Sequence, residues 1–133
     1  MSIPVELADL QAKTEEYTWA YLLTVRPDAT PHLVSLSPRW DGDTLLMSVS
    51  TGTSRNSTSG KTVTICYPPL DHDAYSLIVD GVAEPAVGDE VPEGKHLIRF
   101  RPSGAVLHRS AAPGFANSAT GCANDCLPVD TPD

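Results

Sequence analysis

The sequence predicts a mainly β fold, a small barrel of six or seven strands with one short helix at its N-terminus. Three observations lead to this prediction. The chain has 133 residues, of which 41% are hydrophobic, and this suits one domain with one core. Helical spacing of apolar residues is found in the first segment. After it, short runs rich in β-branched and aromatic residues follow one another with turn residues between them, as in small β-barrels.

The first element is a helix that begins at Pro4, within the segment PVELADLQAKTEEY. Proline is well placed in the first turn of a helix, where its missing N–H costs nothing. Asp9 suits the positive end of the helix dipole, and Ile3, Leu7 and Leu10 recur at helical spacing. These features predict a helix that ends where the first strand begins.

Seven strand-like runs follow the helix, with turn residues between them. The segment RPDAT after the first run is typical of a turn, and Asp-Gly-Asp at 41–43 predicts a hairpin. Gly81 within the fifth run predicts a bulge or a bend. Pro102-Ser103-Gly104 predicts the turn of a last hairpin. The runs are 17–25, 31–37, 44–50, 62–67, 75–86, 95–101 and 105–110.

Composition excludes several classes of function. The net charge is −8 and the isoelectric point is about 4.7, whereas a general nucleic-acid binder needs a basic surface for the phosphate backbone. No apolar run approaches the ~20 residues of a membrane-spanning helix, and the acidic N-terminal segment lacks the apolar core of a signal peptide. The three cysteines do not suggest a disulfide framework. We expect a cytoplasmic protein that binds neither nucleic acid nor membrane.

The segment STGTSRNSTSGK is polar throughout and is a candidate anion site. It lies in a stretch, 44–70, that contains two basic residues and no acidic one. A phosphate monoester needs hydroxyl or N–H donors and cations. Arg55 could hold two phosphate oxygens with its planar guanidinium, while Lys61 would act as a point charge. Ser54 or Asn56 could cap a short helix here. The alternative is an ordinary solvated loop, because the segment matches no established fingerprint.

Three segments, in the predicted order of elements, resemble the pyridoxamine 5′-phosphate oxidase-like family of split β-barrel proteins. They are RPDATPHLVSL at the second strand, STGTSRN after the third, and LIVDGVAE in the fifth. The resemblance covers about residues 3–110. It implies a split β-barrel domain over 1–110, with one short helix or loop after the third strand, followed by an irregular C-terminal tail over 111–133. The chain departs from the family pattern at Ala29, where the family has glycine.

The resemblance implies a homodimer that binds FMN, or alternatively a deazaflavin, in a groove at the subunit interface. It also implies a flavin- or deazaflavin-dependent oxidoreductase with a small-molecule substrate, and it assigns no catalytic residue. The alternative is a non-catalytic split-barrel module that carries its cofactor or has lost it. By position in the family pattern, the phosphate would be held by Ser50, Thr51, Ser54, Arg55, Asn56 and Lys61, and the ring system would lie near Ser35, Leu36 and Ser48.

A second positive block lies near the C-terminal end of the predicted barrel. Between positions 95 and 110 there are four lysine or arginine residues and no acidic one. We interpret this block as a solvated basic edge strand that faces the acidic loop before it. As the alternative, it supplies a site residue. Its basic and imidazole side chains beyond Lys95 are those of His96, Arg99, Arg101, His108 and Arg109.

Three further features receive structural interpretations. Cys122 and Cys126 have a spacing that zinc sites permit, but no second pair accompanies them, so we interpret them as reduced thiols of the tail. The segment LDHD follows two prolines and predicts an exposed turn. Trp19 and Trp40 are interpreted as core or dimer anchors. The sequence therefore predicts no metal site.

Overall fold

The computed structural model describes residues 2–88 and 91–110. The predicted tail over 111–133, with Cys122 and Cys126, lies outside the described residues. Within them, none of the helices is long and apolar enough to cross a membrane. The elements are β1 Ser2–Val5, α1 Leu7–Thr14, β2 Ala20–Val25, β3 Pro31–Leu36, β4 Arg39–Asp41, β5 Thr44–Ser50, α2 Thr51–Ser57, β6 Val63–Tyr67, β7 Ser76–Pro85 and β8 Lys95–His108.

The strands form one curled antiparallel sheet in the order β3-β2-β6-β7-β8-β5-β4, and β1 is added along β8. The long strand β8 organises it. It pairs with β7 from Ile98 to His108, its first six residues pair with β5, and its last four residues pair with β1. The predicted split β-barrel is confirmed, with seven strands in the curled sheet and β1 as an additional short strand. The short helix after the predicted third strand is also confirmed, because α2 follows β5 directly.

The predicted last hairpin is wrong, because the chain continues through Pro102, Ser103 and Gly104 as part of β8. The register of β7 and β8 shifts here, so that Gly81 lies opposite Pro102 and Asp80 lies opposite Gly104. The turn residues therefore accommodate one extra residue in a continuous strand instead of reversing it. The irregularity predicted at Gly81 is confirmed.

The prediction that the helix begins at Pro4 is also wrong. Pro4 lies in β1, opposite Val106 of β8, and α1 begins at Leu7. Glu6 occupies the position before the helix with an extended backbone. Pairing with β8 outweighs the local helical preference, and proline is tolerated because β1 has a partner on one side only.

The core lies inside the curled sheet and is closed at one end by α1. Leu22, Ile65, Val79 and Phe100 are fully buried, and α1 adds Leu10. Their spacing follows the alternation expected of strands with one face inward. The core accounts for most of the stability that burial of apolar surface provides.

The two tryptophans differ in burial. Trp40 packs against the core, and its indole N–H donates a hydrogen bond of 2.9 Å to Oγ1 of Thr14. Trp19 is 37% exposed and contacts Tyr21 edge-on, with 4.7 Å between the ring centroids. The core interpretation therefore holds for Trp40, and Trp19 lies on the outer surface.

The turn between β2 and β3 requires a left-handed backbone at Ala29, where φ is 71°. Asp28 accepts hydrogen bonds from both the hydroxyl and the N–H of Thr30, and these hold the pKa of Asp28 below its ordinary value. The N–H of Arg26 donates to the carbonyl of Thr30 and closes the turn. Alanine stands here at a position that favours glycine.

Replacing Ala29 by glycine should therefore raise the free energy of unfolding by about 0.5–1 kcal/mol. A left-handed alanine costs about 1–2 kcal/mol, and the greater freedom of glycine in the unfolded chain offsets part of the gain. Chemical denaturation measures the change. The control is Ala12→Gly in α1, which should lower stability by about 0.5–1 kcal/mol because glycine is unfavourable in a helix. A less stable Ala29→Gly protein would contradict the strain at this turn.

Candidate functional site

The barrel is open between β3 and β5, and a groove of about 160 Å³ lies in this opening. Within the described sheet, β3 pairs with β2 alone, and β4 pairs with β5 only as far as Leu46. Each side of the groove is therefore a strand edge with unpaired backbone N–H and C=O groups. The groove is lined by Val34, Ser35 and Leu36 of β3, by Ser48, Val49 and Ser50 of β5, and by Thr53 and Lys95.

Four of the residues predicted to contact a cofactor lie together in this groove. They come from strands that are distant in the sheet order, and the curl of the sheet brings them onto facing walls. The apolar part of the lining lies beside them, so that the groove combines hydroxyl groups with aliphatic side chains. The four predicted residues are Ser35, Leu36, Ser48 and Ser50.

The other predicted residues lie outside the groove wall. Arg55 and Lys61 are exposed, and neither forms a hydrogen bond or an ion pair with another residue that the structure describes. Asn56 is buried, and its amide donates to Oγ1 of Thr24 at 3.4 Å, so its side chain points towards β2. Thr51 and Ser54 lie on the first turn of α2. The predicted role of these residues with a phosphate stays a prediction.

The cap of α2 is Ser50, and the prediction of Ser54 or Asn56 as the cap is wrong. The backbone N–H of Thr53 donates to Oγ of Ser50 at 3.3 Å. The helix begins at Thr51, directly after β5, so the last residue of the strand is the only one in position to cap. The spacing then turns Thr53, Asn56 and Ser57 towards the barrel.

Lys95 lines the groove, although the sequence analysis interpreted it as part of a solvated basic edge strand. It lies opposite Ser50 in the register of β5 and β8, and it has no hydrogen-bonding or ionic partner among the residues described. Next to it, Nε2 of His96 lies 3.0 Å from Oγ1 of Thr51. The cluster of basic residues at 95–110 was the signal in the sequence that could have pointed to Lys95. Its position beside β5 depends on the pairing of distant strands, which the local sequence does not specify.

The interpretation of that block as an edge strand is wrong, because β8 lies inside the sheet and is paired on both sides at 98–100 and again at 105–108. Two of its arginines have acidic partners on other strands of the sheet. Arg99 forms an ion pair with Asp41 and Arg101 with Glu84, each at 2.9 Å. These pairs leave Lys95 as the basic side chain of β8 that lines the groove.

His32 is a second residue that the sequence did not single out. Its Nδ1 lies 2.8 Å from Nη2 of Arg26, and its Nε2 lies 3.3 Å from Oγ1 of Thr53. Thr53 is 1% exposed, and its hydroxyl also contacts Oγ of Ser50 at 3.1 Å. A chain of polar contacts therefore runs from the β2–β3 turn to the groove wall.

The remaining candidates do not gather around the groove. Asp71, His72 and Asp73 lie in an exposed turn, as predicted, with their ligand atoms within 4.8 Å of one another. Such exposed groups are common without a metal ion. Cys66 is half-buried in β6, and burial raises the pKa of its thiol. A raised thiol pKa lowers the thiolate fraction and so the reactivity.

Comparison with known proteins gives relatives and a fold. No protein-family model matches the chain. Uncharacterized proteins of Mycobacterium bovis and Mycobacterium tuberculosis are each 34% identical over an alignment of 139 positions, gaps included, which covers 96% of this chain and 96% of each relative. The relationship therefore extends over almost the full length.

Solved structures share the fold at lower identity. An F420 reductase is 23% identical, with a TM-score of 0.58 over 71% of this chain and 94% of the other. A putative pyridoxamine 5′-phosphate oxidase from Listeria innocua is 15% identical, with a TM-score of 0.63 over 76% and 96%. The heme storage protein HutZ from Vibrio cholerae is 15% identical, with a TM-score of 0.58 over 74% and 91%. The chain therefore belongs to one family with the two mycobacterial proteins, and its fold is that of the pyridoxamine 5′-phosphate oxidase-like split β-barrel family.

Proposed function

We propose that the chain binds a flavin, with FMN as the first candidate and a deazaflavin as the second, and acts as an oxidoreductase on a small molecule. The observation that carries this proposal is the groove between the open edges of β3 and β5. It combines two strand edges, a set of hydroxyl groups and one ammonium group. An F420 reductase shares the fold, which supports a flavin or deazaflavin as the ligand class.

The walls of the groove suit a planar ring that is apolar on one side and polar on the other. The side chains of Val34, Leu36 and Val49 offer aliphatic contact, while Ser35 and Ser48 offer hydroxyl groups. The ring of a flavin carries carbonyl oxygens and ring nitrogens along one edge. Unpaired strand N–H and C=O groups are suitable partners for that edge, because such groups need hydrogen bonds when a ligand covers them.

Cations are available for the phosphate group. Lys95 lines the groove, and Arg55 and Lys61 are exposed near α2 with no ionic partner among the described residues. A phosphate carries close to two negative charges, so each cation that reaches it forms a charge-assisted hydrogen bond. A ligand whose ring occupies the groove would extend its tail over this surface.

The size of the groove supports a homodimer. Typical small-molecule sites have volumes of about 300–1,000 Å³, whereas this groove has about 160 Å³. A second copy would complete the enclosure. The outer face of β2 and β3 exposes Leu23, Val25 and Leu33, with Leu23 directly opposite Leu33 in the register. Apolar surface of this kind is typical of an interface, and light scattering on the purified chain measures the oligomeric state.

The bound flavin would supply the hydride or electron transfer, and the chain would bind and orient it. The serine hydroxyls and strand edges would fix the ring in the groove, and Lys95 would balance negative charge beside it. A partner subunit that covers the groove would exclude water from the ring. These roles require no acidic or basic catalyst from the chain itself.

The proposal is tested by the absorption spectrum of the purified protein and by titration with FMN, riboflavin and F420. A bound yellow chromophore, or a rise in melting temperature with added cofactor, is the expected result, because a ligand of the native state stabilises it by mass action. FMN should bind more tightly than riboflavin, which lacks the phosphate. A chain that binds none of the three would contradict the proposal.

Arg55→Ala should weaken FMN binding by about 1–3 kcal/mol, the range for a charge-assisted hydrogen bond. Isothermal titration calorimetry measures the affinity. Arg101→Ala is the matched control, because it removes an arginine that is already paired with Glu84. An unchanged FMN affinity in Arg55→Ala would remove this side chain from the site.

A non-catalytic binding module is the second candidate, and one observation favours it. A heme storage protein, HutZ from Vibrio cholerae, shares the fold of this chain. Turnover separates the two candidates. An oxidoreductase should reduce or oxidise its bound flavin with a nicotinamide or another electron carrier, whereas a binding module should hold its ligand without turnover. A titration with hemin tests the heme alternative directly.

A further inference from the structure

A chain of hydrogen bonds connects the β2–β3 turn to the hydroxyl wall of the groove. Nη2 of Arg26 lies 2.8 Å from Nδ1 of His32, and Nε2 of His32 lies 3.3 Å from Oγ1 of Thr53. Oγ of Ser50 lies 3.1 Å from the same Oγ1. Ser50 and Thr53 both line the groove, so this series of hydrogen bonds ends in the groove wall.

Arg26 decides which nitrogen of His32 carries the hydrogen. A guanidinium group only donates, so Nδ1 of the imidazole must accept. A neutral imidazole has one N–H, which must then be on Nε2, and this group donates to Oγ1 of Thr53. The guanidinium is held in place by further bonds from Nη1 to Oγ1 of Thr30 at 3.3 Å and to the carbonyl of Pro31 at 2.7 Å.

The imidazole of His32 and the hydroxyls of Thr53 and Ser50 together have more hydrogens to donate than there are hydrogen bonds between them. Nε2 of His32 and the hydroxyls of Thr53 and Ser50 carry one hydrogen each, and two contacts join the three groups. Whichever way the two hydroxyls are oriented, one hydroxyl hydrogen remains. Neither hydroxyl has another acceptor among the residues that the structure describes. If the hydrogen were on Nδ1 instead, Thr53 would donate to His32 and Ser50 to Thr53, and none would remain.

We propose that Arg26 and His32 are positioning residues that make the Ser50–Thr53 hydroxyl pair a donor to an oxygen atom of the ligand in the groove. This inference rests on the proposed function. The oxygen is an acceptor, either a carbonyl oxygen of the ring or a phosphate oxygen. A ligand group that only donates, such as an N–H, is disfavoured at the same point, because the pair has a hydrogen to donate there.

The first test is made on the free protein and needs no cofactor. Nitrogen-15 NMR of the histidine rings at about pH 8, where an ordinary imidazole is neutral, identifies the nitrogen that carries the hydrogen. The wild-type chain should show His32 with its hydrogen on Nε2. Arg26→Met should shift this tautomer population, because the donor to Nδ1 is lost. A wild-type His32 with its hydrogen on Nδ1 would overturn the inference.

The second test compares flavin affinities in matched variants. His32→Gln keeps an amide N–H near the position of Nε2 and should bind FMN within about threefold of the wild type, whereas His32→Leu should bind at least about fivefold more weakly. Thr53→Ser and Thr53→Val form a second pair with the same expectation. Weakening of FMN alone indicates a phosphate oxygen, and equal weakening of riboflavin indicates a ring carbonyl.

Two outcomes overturn the inference in the binding test. One is a His32→Leu protein that binds FMN as tightly as the wild type. The other is a His32→Gln protein as weak as His32→Leu, with the same loss of melting temperature, because this pattern indicates a purely structural role. If the wild-type chain binds no flavin, the proposed function fails by itself, and the tautomer measured on the free protein still decides whether the donor arrangement exists.

Discussion

Replacing Lys95 by alanine is expected to weaken FMN binding about 10- to 100-fold and to leave riboflavin binding nearly unchanged. Lys95 lines the groove beside Ser50, and no described residue pairs with its ammonium group. A charge-assisted hydrogen bond to phosphate contributes about 1–3 kcal/mol, and each 1.4 kcal/mol corresponds to about tenfold in affinity. Riboflavin lacks the phosphate and serves as the internal reference. Fluorescence titration measures both affinities.

A charge control separates the local contact from the general loss of positive charge. Lys13→Ala removes an equal charge from α1, where Lys13 forms an ion pair with Glu16 at 3.0 Å. FMN affinity in this variant should remain within about twofold, because exposed charges that are far from a ligand are screened by salt. An equal effect of both substitutions, or an FMN affinity that Lys95→Ala does not change, would contradict the role of Lys95. The FMN affinity of the double variant Lys95→Ala/Arg55→Ala shows whether the two cations contact the same phosphate. The effects of two substitutions on binding free energy are not additive when the residues share a partner.

Replacing Gly81 by alanine is expected to lower the free energy of unfolding by about 2–3 kcal/mol. A Cβ at this position would lie 2.3 Å from the carbonyl oxygen of Arg101 and 2.7 Å from Cζ of Phe100. The first contact is with backbone in a paired strand and the second is with a fully buried ring, so relief requires the sheet or the core to move. Thermal denaturation should show a decrease in melting temperature of roughly 8 °C.

Gly104→Ala is the matched control for this substitution. Gly104 lies in the same pair of strands, opposite Asp80, and a Cβ there would meet no atom within 4 Å. Its stability should change by less than about 0.5 kcal/mol. If Gly81→Ala were as well tolerated as Gly104→Ala, the close approach of β7 and β8 at this bulge would be wrong.

The local pattern of the sequence predicted much of the fold. Alternating apolar residues predicted the strands, and the polar segment after β5 predicted a short helix or loop, which is α2. Gly81 predicted the irregularity of β7. The turn before β3 was predicted from its residues, and in the structure Ala29, which stands where the family has glycine, has a left-handed backbone. These features depend on residues that are close together in the chain, and they can therefore be predicted from a single sequence.

Two errors in the predicted elements share a different cause. Pro4 was assigned to a helix and Pro102-Ser103-Gly104 to a hairpin, and both segments lie in strands. In each case a distant strand supplies the hydrogen bonds that override local preference. β1 pairs with the end of β8, and β7 pairs with β8 on both sides of the predicted turn. Local propensity is a weak guide where such pairing is available.

The sequence by itself determined the class of fold and the α2 segment, because strand alternation and turn chemistry act over a few residues. Tertiary structure alone decided that Lys95 lies beside Ser50 and that His32 lies beside Thr53. These two pairs are brought together by the register of β8 with β5 and by the curl that sets β3 across from β5. Register is fixed by the packing of the whole sheet around one core, and no short segment of the chain specifies it.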